Sequence, residues 1–140
     1  MPNNQLNFPN IKMSYETANQ PFSNFVPFLS LKAHLAIQRK NQQNAIEWLA
    51  KEFQIAETNL DVLPTQADYQ TLIAIQVYQQ LFIQHKDCIY IRGIDYCTTW
   101  QIQQLLLKLK QISRHYHKQI IIHRKITRAW PCGPAAWGPT

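Results

Sequence analysis

Apolar residues recur at helical spacing in three stretches of the chain. In the first stretch Ala45, Leu49 and Phe53 repeat every four positions, and Asn44 before them is a residue type that caps helices. The second and third stretches each carry a stripe of large apolar residues along one side. The pattern predicts helices over residues 44–55, 68–84 and 98–117.

Short apolar runs alternate with these helices. Residues 88–91 and 119–123 are dominated by Ile, which is typical of strands that are covered on both faces. Residues 34–38 and 60–63 are two further strand candidates. Strands alternating with helices favour an α/β fold, an open, mostly parallel sheet of about four strands with flanking helices. A helical bundle is the alternative, because the helices give the stronger signal.

The two ends of the chain differ in composition from its middle. Residues 1–20 hold Asn, Gln and Pro with few periodic apolar positions, which predicts a flexible N-terminal arm. Residues 129–140 are rich in Pro and Gly and carry two Trp residues that are candidates for docking on a surface. Residues 21–128 are therefore expected to form a single α/β domain between an arm and a tail.

Length and charge narrow the class of protein. The chain has 140 residues, of which 46% are hydrophobic, so it has enough apolar side chains for one core. Its net charge of +6 favours acidic partners. We expect a cytoplasmic protein without a membrane segment, because no signal-like start and no long apolar run occurs.

The positive charge is spread out rather than concentrated. The cations of the last predicted helix fall mostly off its Leu stripe, so they are expected to form its solvated face. A nucleic acid is therefore a weaker partner candidate than a protein, since aromatic residues are not interleaved with the cations. The cations in question are Lys108, Lys110, Arg114 and Lys118, with Arg124, Lys125 and Arg128 beyond them.

No motif for nucleotide chemistry is present. The phosphate-loop and dinucleotide-binding patterns do not occur in the sequence. Gly93 is expected only to let the chain turn after a strand, and Asp95 to cap the following turn or face solvent. The sequence thus predicts no ATP binding and no cofactor.

Metal and nucleophile candidates are also weak. His115 and His117 point about 200° apart on a helix, a poor geometry for zinc even with His123 and Cys132 nearby. Cys97 precedes a helix cap, a position that lowers thiol pKa, but no base accompanies it. We therefore expect no catalytic residue, no metal site and no small-molecule substrate, and the chain is not predicted to be an enzyme.

The order of the predicted elements resembles a known family. A helix carrying the pair Glu47-Trp48 is followed by a short strand, a long helix, an apolar strand and a helix opened by Thr. Over about 100 residues this order is similar to that of the SulA-like cell-division inhibitors and the related ImuA proteins. The resemblance implies a RecA-like core that lacks the phosphate loop. The matching segments are residues 45–49, 60–63, 85–91, 98–100 and 119–123.

The resemblance also implies a function. SulA-like proteins bind the division protein FtsZ, block its polymerisation and act in the response to DNA damage (the SOS response). Two alternatives are an ImuA-like accessory protein of mutagenic repair and a small basic nucleic-acid-binding domain. A homodimer stays open.

The partner surface is expected around the helix that carries Trp48. Its candidate contact residues are Lys32, Arg39, Trp48 and Lys51. The three cations would steer an acidic partner, and a Trp at an interface often contributes about 2 kcal/mol or more. The alternative for Trp48 is a place in the core, since it lies next to the apolar stripe of its helix.

Overall fold

The computed structural model describes residues 11–16, 22, 25–37 and 42–125. Three 3-10 helices, Glu57–Leu60, Pro64–Gln66 and Ile94–Tyr96, connect the larger elements of these ranges. A π-helical turn, Gln79–Ile83, extends the third α-helix. In chain order the larger elements are β1 (Ile11–Glu16), α1 (Leu31–Ile37), α2 (Gln42–Phe53), α3 (Tyr69–Tyr78), β2 (Cys88–Ile91), α4 (Thr99–Tyr116) and β3 (Gln119–Lys125).

The strands form a small open sheet in which β3 is central. Their order is β1-β3-β2, and both pairs are parallel. Ile122 of β3 lies opposite Met13 of β1 and Ile91 of β2. The α/β prediction with a parallel sheet is confirmed at this level, whereas the described sheet has three strands rather than four.

Residues 34–38, predicted as a strand, belong instead largely to the helix α1. Leu31, His34 and Leu35 are buried on one side at helical spacing. The helix starts earlier than the five-residue run suggests, because the Ser30 hydroxyl accepts a hydrogen bond from the backbone N–H of Ala33 at 3.1 Å. The strand prediction was wrong because it considered residues 34–38 alone. The Ser30 cap and the buried Leu31, which mark the helix, both lie before that run.

Residues 60–63, the other strand candidate, also do not form a strand. They begin at the last residue of the 3-10 helix Glu57–Leu60, where the N–H of Asp61 donates to the carbonyl of Thr58 at 3.2 Å. Leu60 is fully buried and anchors the segment. The carbonyl of Val62 accepts from the N–H of Leu31 at 2.9 Å, so the segment supports a helix start instead of pairing in the sheet.

Six residues assigned to the N-terminal arm form β1. The segment alternates apolar and polar residues as Ile-Lys-Met-Ser-Tyr-Glu, a strand pattern that its polar surroundings obscure. β1 is aligned with β3 from Ile11 opposite Ile120 to Glu16 opposite Lys125. The flexible arm predicted for residues 1–20 is therefore corrected for this segment, and its remainder lies outside the described residues.

The three predicted helices are confirmed as α2, α3 with its π-helical turn, and α4. Thr98 caps α4: its hydroxyl accepts from the N–H of Gln101 at 3.2 Å, and the Gln101 amide accepts from the N–H of Thr98 at 2.9 Å. None of the helices in the described ranges combines the length and apolarity needed to cross a membrane.

The helix α3 lies in the middle of the domain. Eight of its ten residues are buried, which explains why its sequence is apolar on nearly every side. One hydrophobic cluster packs α3 against α1 and α2, and a second packs it with α4 and the sheet. The sheet contributes four fully buried side chains to the second cluster, namely Ile89, Ile91, Ile120 and Ile122.

Candidate protein-interaction surface

Trp48, the strongest contact candidate from the sequence, lies where the two clusters meet. Its ring packs 5.6 Å from Phe53, 5.5 Å from Tyr78 and 5.5 Å from Phe82. The indole Nε1 donates a hydrogen bond to the Tyr116 hydroxyl at 3.0 Å, which ties α2 to the end of α4. This position favours the core alternative, and contact with a partner stays a prediction.

Lys32, one of the predicted contact cations, is paired with two acids. The ammonium of Lys32 lies 2.8 Å from the Glu57 carboxylate and 3.7 Å from that of Asp61. The hydrogen bond to Glu57, together with the charges of both acids, raises the pKa of Lys32. Lys51 is exposed on α2, and Arg39 lies outside the described residues.

Exposed aromatic residues gather at another place, where α3 and α4 begin. The ring of Tyr69 stacks on Phe22 at 5.7 Å and 18°, and on Tyr96 at 5.2 Å and 27°. Trp100 is included because it lies in the first turn of α4, four residues after Tyr96 and next to Gln101, whose side chain is bonded to Gln70. We call Phe22, Tyr69, Tyr96 and Trp100 the aromatic corner.

The aromatic corner is unusually open to solvent for so many rings. Tyr69 is 41% exposed, Tyr96 46% and Trp100 66%. The neighbouring side chains Gln70 and Gln101 are joined by a hydrogen bond of 3.4 Å, which holds the two helix starts together. Large exposed apolar groups concentrated in this way mark interaction surfaces rather than ordinary surface.

A turn of unusual backbone geometry supports the corner. Gly93 has φ of 96°, a left-handed conformation that favours glycine, and begins the 3-10 helix that ends at Tyr96. A Cβ at this position would overlap the ring of Phe22. Gly93 therefore provides the turn predicted from the sequence and also makes room for the first ring of the stack.

Asp95 fixes the same turn to the sheet. One carboxylate oxygen accepts from the Arg124 guanidinium at 2.7 Å, and the other from the backbone N–H of Lys125 at 2.6 Å. The expectation that Asp95 caps its own turn or faces solvent was wrong. Its partners are 29 and 30 residues away in the chain, so no local pattern marks them.

An apolar groove of about 260 Å³ begins at Tyr69 and runs beside the stack. Its walls hold two aromatic rings and two prolines besides Tyr69, with Phe25 at the buried end. Grooves of this chemistry accept apolar or proline-containing segments. Its walls include Phe22, Phe25, Pro27, Pro64, Ala67 and Tyr69.

The described chemical candidates from the sequence are not assembled into a reactive site, and Cys132 lies outside the described residues. Cys97 is buried, and burial together with the charges of Asp68 and Asp95 raises the pKa of its thiol to about 11. This shift is opposite to the one that activates a nucleophile. Within the described part of the chain, no group of three or more His, Cys, Asp or Glu side chains is placed to hold a metal ion.

Several cations of the basic surface are already paired. Lys108 contacts Glu52 at 3.3 Å, and Lys118 contacts Asp87 at 3.7 Å. Lys32 and Arg124 are also bound to acids, so part of the positive charge of the described surface is already offset.

The aromatic corner was missed in the sequence because its rings are far apart in the chain. A signal was available: Tyr69 and Trp100 each lie between polar residues at a helix start, so neither belongs to the apolar stripe that faces the core.

Comparison with known proteins assigns no family, since no protein-family model matches the chain and the search of curated proteins finds no match.

Proposed function

We propose that the chain is a non-enzymatic inhibitor of bacterial cell division that binds FtsZ and blocks its polymerisation in the DNA-damage response. The observation that carries the binding role is the aromatic corner. The choice of FtsZ comes from the resemblance in element order to the SulA-like inhibitors. The fold supports that choice only at the level of an α/β domain with a parallel sheet, and a RecA-like core belongs to the proposal.

The side chains of the aromatic corner are of the types that stabilise protein interfaces. Tyr and Trp contribute large contact areas at low entropic cost, and they dominate the energetic centres of interfaces. Here Tyr69 is already held between two rings, so little further freedom is lost on binding. A partner would gain most of its affinity at Tyr69, Tyr96 and Trp100.

Inhibition would follow from occupancy alone. An FtsZ subunit bound to the chain cannot accept the next subunit on the covered face, and it leaves the pool that polymerises. The net charge of +6 would increase the association rate with an acidic partner. Inhibition therefore depends on the molar ratio of the two proteins and not on turnover.

The test is sedimentation of FtsZ polymers formed with GTP in the presence of increasing amounts of the chain. We expect the Tyr69→Ala/Trp100→Ala double variant to need about tenfold or more protein for the same inhibition, since two interface aromatics are removed. Leu107→Ala is the matched control, because Leu107 is an apolar side chain of α4 that is 55% exposed and lies two helical turns, about 10 Å, after Trp100.

Two results would overturn the proposal. One is undiminished FtsZ polymerisation at a molar excess of the folded wild-type chain. The other is cells of normal length after overexpression, because a division inhibitor produces filaments while DNA synthesis continues. A double variant that inhibits as well as the wild type would reject the corner as the binding surface and leave FtsZ binding standing.

A further inference from the structure

The described chain ends beside the aromatic corner. Lys125 is the last residue of β3, and its backbone N–H is bound to Asp95, the residue before Tyr96. The side chain of Arg124 is bound to the same carboxylate. The sequence that follows β3 therefore starts next to the exposed end of the ring stack.

The composition of that following sequence matches the groove. Residues 126–140 contain Trp130 and Trp137 and three prolines, and residues 129–140 are incompatible with a helix. Proline-rich segments adopt an extended helix that docks on grooves lined by aromatic rings. The groove beside Tyr69 has such a lining, formed by aromatic rings and prolines.

The length of the segment allows the contact. Trp130 is five residues after Lys125, so an extended backbone lets it reach up to about 17 Å from the end of β3. The residues after Trp130 reach about 30 Å further in the extended proline helix, enough to follow the stack into the groove. Tethering also raises the effective concentration of the segment to the order of 1 mM, so weak stacking contacts suffice.

Opposite charges on the segment and beside the corner add to the match between their apolar residues. Asp68 lies directly before Tyr69, is exposed, and forms neither a side-chain cap nor an ion pair with the residues that the structure describes. Asp95, the other acid near Cys97, is already neutralised by Arg124. Arg128 is the one cation of residues 126–140, and it precedes Trp130 by two positions.

We propose that residues 126–140 dock in cis on the aromatic corner and its groove, with Trp130 on the exposed rings of Tyr69 and Tyr96 and Arg128 facing Asp68. The segment covers the surface that an external partner would use. Binding of such a partner requires its release, which lowers the apparent affinity by the fraction of time the segment is docked. The docking itself does not depend on the identity of the partner.

Cys132 provides a reporter within this segment. Of the other two thiols, Cys97 is buried and Cys88 is half-buried in β2, and their peptides are distinguished from that of Cys132 by mass. The experiment measures the rate at which iodoacetamide alkylates Cys132 in the native full-length chain, with the modified peptide identified by mass spectrometry. We expect a rate about tenfold below that of the chain in denaturant, because alkylation then waits for release of the segment.

Substitutions in the corner must release the segment. Tyr69→Ala and Trp130→Ala are each expected to raise the Cys132 rate toward its value in denaturant, with Trp130→Ala leaving the described helices and strands untouched. Tyr90→Ala is the matched control, because Tyr90 is a tyrosine of similar exposure, 37% against 41%, on the sheet. Circular dichroism confirms that each variant is folded.

Three outcomes would reject docking in cis on the corner. The first is a Cys132 rate in the native chain equal to that in denaturant. The second is a slow rate that neither Tyr69→Ala nor Trp130→Ala changes, which would place the segment elsewhere. The third is protection that disappears on dilution, which would assign the segment to the groove of a second copy. FtsZ is absent from the assay, so its result is independent of the division-inhibitor proposal.

Discussion

The side-chain amide of Gln80 forms two hydrogen bonds to the backbone of Tyr90. Its Oε1 accepts from the Tyr90 N–H and its Nε2 donates to the Tyr90 carbonyl, both at 2.8 Å. Tyr90 lies on β2, the outer strand next to β3 in the described sheet, so the amide takes the place of a neighbouring strand. The amide thereby pairs the backbone at the middle of β2. Without it, this edge of the sheet would be open to association with other chains.

We predict that Gln80→Leu lowers the free energy of unfolding by about 1–3 kcal/mol, because two backbone groups lose their partners. Urea unfolding followed by circular dichroism measures the change. Gln84→Ala is the control, as Gln84 is exposed after the same π-helical turn, and we expect less than about 0.5 kcal/mol there. Equal stability of the Gln80 and Gln84 variants would show that water replaces the amide without cost.

The environment of Trp48 predicts a loss of stability on truncation. We expect Trp48→Ala to cost about 3 kcal/mol, because three ring contacts between the two clusters disappear. Tyr116→Phe should cost about 1 kcal/mol, since it removes only the hydrogen bond to the indole. A Trp48→Ala variant that keeps its melting temperature and loses FtsZ inhibition would instead support a partner contact.

The turn at Gly93 predicts a coupled effect with Phe22. Gly93→Ala should destabilise the fold by about 1–3 kcal/mol, through the left-handed φ and the overlap with the Phe22 ring. The double variant Gly93→Ala/Phe22→Ala should cost less than the sum of the two single changes, because the overlap is gone. Thermal unfolding of the four proteins tests this, and strict additivity would show that the ring moves aside freely.

The thiol of Cys97 predicts a loss of stability at alkaline pH. Its pKa is about 11 in the fold against an ordinary value of 9.0, so the unfolded chain releases its proton first as pH rises. The free energy of unfolding therefore falls from about pH 9 and continues to fall up to about pH 11. Burial also raises the pKa of Tyr78 above 10.0, which adds a loss in the same direction above that pH.

The variant Cys97→Ala separates the loss of stability due to the Cys97 thiol from the loss due to Tyr78. In this variant the decline between pH 9 and 10 should largely disappear, while the loss due to Tyr78 at higher pH remains. Denaturant unfolding at several alkaline pH values measures both curves. Parallel curves for the wild type and the variant across this range would contradict the raised thiol pKa.

The sequence determined the long helices on its own. Their apolar stripes, the Thr98 cap and the Gln101 that completes it all lie within a few residues of one another, so local pattern suffices to predict α2, α3 and α4. The strands β2 and β3 were predictable for the same reason, because each is a compact run dominated by Ile. The parallel pairing followed from helices long enough to connect them.

Tertiary structure alone decided the features on which the proposed function rests. Pairing with β3 selected residues 11–16 as a strand, whereas residues 34–38 and 60–63 found their hydrogen bonds in helices and turns. The aromatic corner is built by stacking Phe22, Tyr69 and Tyr96, which no local pattern brings together. Local propensity acts over one or two helical turns. Stacking and strand pairing instead join residues that are far apart in the chain and come together only in the folded core.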